Sequence, residues 1–573
     1  MKIFFLLFFT VSVFLTAIHV DATGYPVSRV IFEYGNSHPS LPDLKLLENA
    51  YFSTQKEGKE FPVSLLTRGL PTPVKLTDDG IFRLGEIGVH FLKEQGFEGV
   101  VALPHPDYID PVSGNDLRPK GNDLIIVQLW VSILNKANFS AEKLKPNEKA
   151  RLADSINNYV NSTDSINRPI RAEFFNEVKQ ILAHPSRDSQ VLLSASESPG
   201  RVNAVVNVYR KESETYSISL NNAGSPSTGR WLLNGEIKSN QLSGRDDRLS
   251  VGFMVSNTGE RRGIMGSYYL PFLPQEKLGV AVGFGYSSYD ASTFARSNPI
   301  EFEGKSLYGD FSFLLKNSYA QGKFVPGVEF GLKLENVEAF NSINNRATDV
   351  VMLTPRVSVF MEQKDKYRFS KTSLSLLGNL LSIDEADLIS LGGIDVTDRY
   401  ARLVFSHYDT LLMGKLIGSS GKYLSRHTLS LNFQTSFALA KDRHLPQHQF
   451  ITGGTGSVRG YPESPAAGDS GILASMEYRF PFLFIPNLKG GDLAWTVAPF
   501  IDWARTSVNQ PLFYESNHNL FSTGLSFQLP LPYGMYASIE FAKPLREIKI
   551  AGIPLDGTNS NDYRVHGNFG WKF

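Results

Sequence analysis

The residues best placed to do chemistry lie in one glycine-rich stretch, Gly453-Gly454-Thr455-Gly456-Ser457-Val458-Arg459-Gly460-Tyr461. Glycine admits positive φ and close backbone approach, so such a stretch can fold back as a compact loop. Within it Arg459 presents a rigid fork of five N–H donors, a shape suited to a single buried carboxylate. That chemistry is locking rather than bond-breaking. A plain surface turn is the competing reading of the same residues.

A second motif follows at once. Gly468-Asp469-Ser470-Gly471 mimics the nucleophile segment of chymotrypsin-like proteases. The context that would give it meaning is missing: no Ala-Ala-His-Cys-like segment precedes it, and the chain has no cysteine. No enzyme activity is therefore expected. On both sides of the glycine loop apolar and polar residues alternate. Leu429, Leu431, Phe433 and Phe437 precede it, and Ile472, Ala474 and Met476 follow. A period of two means strands, so the stretch 445–470 is a long excursion between neighbouring strands, where functional loops are found.

The elements that must position this loop come in two kinds. Lys2, the apolar run Ile3–Ile18 and the small residues up to Ala22 read as a secretory signal peptide over residues 1–22. That run is shorter than the ~20 residues that span a bilayer, which disfavours an uncleaved anchor. Net charge is +0, giving no sign of nucleic-acid binding. An exported chain without cysteine is not a disulfide-stapled small domain. With Phe 40, Tyr 23 and Gly 48 but a mean hydropathy of only −0.16, a large secreted β protein or an outer-membrane barrel remains.

Residues 23–140 read as mixed α/β. A strand is expected at Val27–Tyr34, a short helix at Leu41–Ala50, and a helix from the N-cap Thr77 to about Gln95, stopped by Gly96. Strands follow at Phe97–Leu103 and Leu124–Leu134, with a Pro- and Asp-rich loop between them. Residues 141–211 repeat the idea, with helices at Asn147–Val160 and Ile170–Leu182 and a hairpin of Gln190–Ser196 with Val202–Arg210. Neither unit carries paired carboxylates, metal-ligand spacing or a phosphate loop, so no metal and no cofactor are expected. Such small sheets offer open edges on which a polypeptide can add a strand.

From about Glu214 helical signals cease and ~10-residue alternating segments take over. Strands are expected at 214–222, 229–239, 247–256, 261–270, 278–289, 305–315, 324–334, 350–361, 367–377, 400–411, 427–439, 471–480, 493–504, 520–530, 534–544 and 563–573. The last is the clearest. Tyr563, Val565, Phe569, Trp571 and Phe573 share one side, and Arg564, His566, Asn568 and Lys572 the other. Lipid outside and water inside impose that pattern. The fold class is thus an α+β N-terminal region followed by an all-β barrel, residues 212–573, of about sixteen antiparallel strands. A soluble β-rich adhesin is the alternative.

These residues together resemble the two-partner-secretion transporters, the TpsB class of ShlB/FhaC-like haemolysin secretion/activation proteins, within the superfamily of the barrel-assembly protein BamA. Gly453, Gly454, Ser457, Val458, Arg459, Gly460 and Tyr461 look like the family's loop motif. Phe500-Ile501-Asp502 resembles the strand motif whose acid meets that arginine. Leu182-Ala183-His184-Pro185 with Ser198-Pro199-Gly200 is similar to the end of a second POTRA (polypeptide-transport-associated) domain. Asn221-Asn222-Ala223-Gly224, Thr228-Gly229-Arg230-Trp231 and Gly244-Arg245-Asp246-Asp247 are similar to the family's entry into the barrel.

The resemblance implies two periplasmic POTRA domains, at 23–140 and 141–211, that capture an unfolded exported partner. The barrel would secrete it across a Gram-negative-type outer membrane without ATP. It implies a lock from Arg459 to Asp502, with Phe500 beside it, and an aromatic membrane-insertion signal at Trp571 and Phe573. The implied partners are a TpsA-like adhesin or haemolysin, outer-membrane lipid and, during biogenesis, the barrel-assembly machinery. Simple alternation puts Phe500 on the lumen side with Asp502, against the loop and Tyr461. A BamA- or TamA-like insertion factor is the alternative, and two POTRA domains rather than five favour secretion. The long N-terminal region disfavours a passive porin. Departures are Trp503-Ala504 after the aspartate, His448 where an acid is common, a long first domain, and no room for an N-terminal plug helix.

Overall fold

The structure, a computed structural model, describes residues 24–53, 60–110, 113–273, 277–295, 298–317, 324–341, 346–364, 367–415, 426–439, 441, 443–485, 493–512, 515–550 and 552–573. The signal-peptide segment lies outside the described residues. The chain divides into two units. One comprises residues up to Ala183 with Arg187–Arg210, and the other His184–Ser186 with Lys211–Phe573.

The first unit contains two α/β modules. The first module has strands β1 (Tyr25–Val27), β2 (Arg29–Tyr34), β3 (Tyr51–Ser53) and β4 (Glu60–Pro62), helix α1 (Val63–Arg68) and strand β5 (Val74–Leu76). Helix α2 (Asp78–Glu94), β6 (Val100–Pro104) and β7 (Leu124–Val131) complete it. Thr77 caps α2 as expected: its Oγ1 accepts the Gly80 N–H at 3.4 Å, and Asp78 and Asp79 sit where the helix dipole favours acids. Ile81, Leu84 and Leu92 of α2 bury against Ile125, Val127, Leu129 and Val131 of β7. The sheet order is β2-β7-β6, which leaves β6 as an edge with Val101 and Leu103 exposed. The Pro- and Asp-rich loop is pinned by Arg118. It bonds Asp116 twice, at 2.8 and 2.7 Å, and the carbonyls of Pro26 and Leu124. Those bonds hold the Asp116 carboxyl below its ordinary range.

The second module begins earlier than the sequence suggests. The apolar run Leu124–Leu134 is two strands, β7 and β8 (Ile133–Glu142), separated only by Ser132. β8 pairs in parallel with β10 (Arg201–Arg210), which pairs antiparallel with β9 (Arg187–Ala195). The boundary at 140 therefore cuts through a strand of the second sheet. β8 was missed because half of it is polar: as an edge strand it alternates Lys136, Asn138, Ser140 and Glu142 outward. Helices α3 (Pro146–Ser162) and α4 (Ala172–Leu182) cover that sheet through Leu152, Ile156, Val160, Phe174, Val178 and Leu182.

The second unit is a closed antiparallel barrel. Its strands are β11 (Glu214–Asn221), β12 (Leu232–Ser239), β13 (Arg248–Ser256), β14 (Arg261–Pro271), β15 (Leu278–Ala295), β16 (Asn298–Lys316), β17 (Val325–Asn341) and β18 (Arg346–Lys364). They continue with β19 (Arg368–Gly378), β20 (Ala401–Leu412) and β21 (Thr428–Ala438). A long loop then carries the short strands β22 (Phe450–Thr452) and β23 (Ala466–Gly468). β24 (Ser470–Ile485), β25 (Leu493–Ser507), β26 (His518–Pro530) and β27 (Met535–Pro544) follow. A loop with β28 (Lys549–Ile550) and β29 (Ile553–Pro554) leads to β30 (Arg564–Lys572). Sixteen strands form the wall, each at its expected place. Between β19 and β20 a short helix, α5 (Glu385–Ser390), interrupts an otherwise irregular segment.

Strands β15 to β18 outrun the expected length, at 18, 19, 17 and 19 residues. At ~3.3 Å per residue they rise about 60 Å, roughly twice what a ~10-residue strand reaches. Their far ends carry Asp290, Glu338 and Asp349 on faces that are apolar nearer the middle of the strands, so the hydropathy signal breaks there while backbone pairing continues. The wall closes between β11 and β30, where Ser217–Asn221 pair with Lys572–Asn568. Beyond that register Tyr216 and Phe573 exchange backbone bonds at 2.8 and 2.9 Å and stack their rings. Trp571 and Phe573 point outward, 46% and 60% exposed.

Candidate functional site

The loop between β21 and β24 turns back into the barrel. β22 and β23 pair to form its stalk, and the glycine-rich tip lies beyond them. Gly453, Gly454 and Gly460 all have positive φ, at 103°, 91° and 92°. At Gly460 a side chain would also meet the backbone of Ala542–Pro544 at 3.2–3.3 Å, so only glycine lets the tip touch β27. Ser457 Oγ accepts the Gly453 N–H at 2.7 Å and closes the turn. Glu463 accepts the Thr455 N–H and hydroxyl, and burial pushes its carboxyl upward.

On β25 the residues Ala498, Phe500, Asp502, Ala504 and Thr506 are buried, as alternation requires of a lumen face covered by the loop. Asp502 is fully buried and accepts Arg459 Nε at 2.8 Å, Nη2 at 2.9 Å and the Arg459 backbone N–H at 3.1 Å. Ser475 adds a fourth donor at 2.6 Å. The structure thus brings together Arg459 and Asp502, which are 43 residues apart.

Two expectations need correction. Arg459 does not face a single carboxylate: Nη1 also donates to Glu477 at 2.9 Å and lies 3.6 Å from Glu540. Glu477 is shared with Arg479. Two guanidinium groups thus face three carboxylates, and the pairing matters most at Asp502, which is shielded from water while Arg479 stays 29% exposed. Nor does Phe500 use its face on Tyr461. The Phe500 ring carries the Arg459 guanidinium 3.4 Å from its centroid, a cation–π contact. Tyr461 is buried elsewhere, with Val458, among Ala466, Leu473, Ala504, Leu520 and Ile548. Its hydroxyl donates to the Arg546 carbonyl at 2.7 Å and accepts the Phe521 N–H at 3.1 Å, pinning the tip to two further segments.

Glu477, Glu540 and Ser475 escaped the sequence reading. The parity of β24 held the signal for two of them, since Ser475 pairs with Asp502 and Glu477 with Phe500. Trp571 and Phe573 lie at the barrel seam rather than at this site.

The Gly-Asp-Ser-Gly segment is structural. Asp469, 1% exposed, accepts the backbone N–H of His444 and of Asn509, both at 2.7 Å, and Gln449 Nε2 at 3.3 Å. Ser470 Oγ accepts the Ala438 N–H at 3.0 Å. Beside them Arg443 grips Glu515 through two bonds at 2.5 and 2.7 Å. The loop is thus held at its stem as well as its tip. Asp469→Ala strands two buried backbone donors, at about 1–3 kcal/mol each. It is expected to speed proteolytic nicking within 439–469 even with Arg459 intact. Unchanged nicking would show that the stem needs no clamp.

The Omp85 superfamily domain matches residues 402–561, the span that carries the loop and its carboxylates. The haemolysin secretion/activation protein family ShlB/FhaC/HecB matches residues 200–316. The chain is a TpsB-type protein of the Omp85 superfamily. As such it is an outer-membrane β-barrel and a two-partner-secretion transporter. No curated protein matches the TpsB-type sequence. Its fold is similar to CdiB from Escherichia coli (TM-score 0.59, 13% identity, covering 97% of this chain and 92% of that one). It is also similar to CdiB from Acinetobacter baumannii (0.56, 14%, 97% and 91%). BamA from Haemophilus ducreyi lacking POTRA domains 1–3 shares the fold at a TM-score of 0.53 and 12% identity, over 96% of this chain and 100% of that one.

Proposed function

We propose that this TpsB-type chain captures an unfolded, exported partner with its N-terminal modules and passes it outward through the barrel without ATP. The two modules act as POTRA domains in the periplasm, with the second starting at β8. The edge strand β6, with Val101 and Leu103 exposed, is the kind of surface on which an extended chain adds a strand. Folding of the partner outside supplies direction. The Arg459 loop is a lock, and the observation that carries this reading is the buried Arg459–Asp502 pair fixing a loop inside a closed barrel. Trp571 and Phe573, outward at the seam, serve as the insertion signal read by the barrel-assembly machinery.

The fragment Tyr25–Lys211 is expected to be soluble and to bind the unfolded N-terminal part of the genetic partner. Deleting either module should abolish release of that partner while the barrel still migrates faster on a gel before heating than after. Unchanged release from a deletion would overturn the capture role. A build-up of misassembled barrel proteins, with partner release intact, would favour the insertion-factor reading.

A further inference from the structure

Apart from the apolar surface that seats Tyr461, the lumen side of the wall carries a second apolar patch. At the far ends of β17 and β18, Val337, Ala339, Val350 and Met352 turn an apolar patch inward. Water would reach this patch if nothing covered it. It is covered by residues 379–400, the segment between β19 and β20, through Ile383, Leu388, Leu391 and Val396. Thr348 Oγ1 of β18 donates to Asp387 of α5 at 2.8 Å. Asn379, nearly fully buried, ties the base of the segment: its Nδ2 donates to the Leu381 and Asp398 carbonyls and its Oδ1 accepts the Leu353 N–H.

The cover is completed from another direction. Leu445, 1% exposed, reaches the same patch from the stem of the Arg459 loop. The Thr397 N–H donates to the Arg443 carbonyl at 3.2 Å. His448 packs against Tyr400 with the rings tilted by 34° and their centroids 4.6 Å apart, and its Nδ1 lies 3.0 Å from the Tyr400 hydroxyl. Its Nε2 is 3.2 Å from the Met352 sulfur, and its carbonyl accepts Arg402 Nη1 at 2.6 Å. Two segments that are separate in sequence therefore share one apolar patch and one aromatic clasp. Removing either exposes groups buried by the other, so they are most stable when they move together.

We propose that residues 379–400 are a second gate, a strap folded inside the far rim that opens and closes as one body with the Arg459 loop. A passing chain then has to displace both, and holding the strap alone holds the gate. The proposal rests on the transport reading only where secretion is the readout. Pore conductance tests it independently.

The chain has no cysteine, so the pair T348C/D387C introduces one controlled cross-link. Oxidised, the full-length protein is expected to keep its heat-shifted mobility and to release its genetic partner at least about tenfold more slowly than after reductant. In planar bilayers oxidation should suppress the large openings that reductant restores. Conversely, Leu388→Asp with Leu391→Asp should raise the mean conductance several-fold, because two carboxylates cannot stay against the patch. Equal release and equal openings before and after reduction would overturn the strap. So would a normal conductance in the double aspartate variant. If the reduced protein opens normally but never releases the partner, the transport reading fails while the gate stands.

Discussion

Replacing Arg459 with alanine is expected to give the largest single defect in this protein. The substitution removes the guanidinium that the loop tip offers to Asp502, Glu477 and Glu540 and leaves these three clustered, with Arg479 bound to Glu477. Breaking a buried pair in this way costs about 3–5 kcal/mol. The loss falls on the seating of the loop rather than on the wall, because the wall is closed by backbone pairing between β11 and β30. Partner release should therefore collapse while heat-shifted mobility persists. Asp502→Ala should be milder, since Arg459 keeps Glu477 and Glu540. The double variant should be little worse than Arg459→Ala alone, as coupled partners demand. Arg459→Lys keeps the charge but cannot grip Asp502 with a fork, and should fall between. Normal release by Arg459→Ala, or fully additive losses in the cycle, would refute the lock.

The strands were legible because lipid on one side and water on the other write a period of two into the sequence, and all sixteen wall strands lie where that period places them. The pattern fails where that contrast ends. β8 is a half-polar edge strand abutting β7, and the far ends of β17 and β18 reverse the contrast, with Glu338 and Asp349 outward and Val337 and Val350 inward. The arginine and aspartate were legible as charges set in glycine-rich and apolar surroundings. Their company was not. Glu540 is on β27 and faces Arg459 only through the register of three intervening pairings, which no local stretch encodes. The cover of residues 379–400 is a tertiary fact of the same kind. Leu388 and Leu445 read as ordinary apolar loop residues until the fold brings them to one patch.

Gly524 is the clearest case of a residue invisible to sequence yet central to the site. It lies on β26 directly opposite Phe500, with no side chain between the strands. A Cβ there would sit 2.0 Å from the Phe541 carbonyl oxygen of the next strand and 2.5 Å from Phe500 Cζ. The backbone oxygen cannot retreat without breaking the β26–β27 ladder, so the Phe500 ring must move as well. That ring is the platform on which the Arg459 guanidinium rests at 3.4 Å. Overpacking of this kind costs about 1–3 kcal/mol, and a cation–π contact shielded from water adds about 2. Gly524→Ala is expected to reproduce much of the Arg459→Ala release defect without touching a charged residue. Heat-shifted mobility must be retained for the comparison to stand. Combining it with Arg459→Ala should add little, because both act on one seat. Phe500→Ala frees the space, so Gly524→Ala in that background should cost no more than the ladder distortion and leave release at the Phe500→Ala level. If Gly524→Ala releases its partner normally, or if its defect adds in full to that of Arg459→Ala, Phe500 is not the platform that seats the loop.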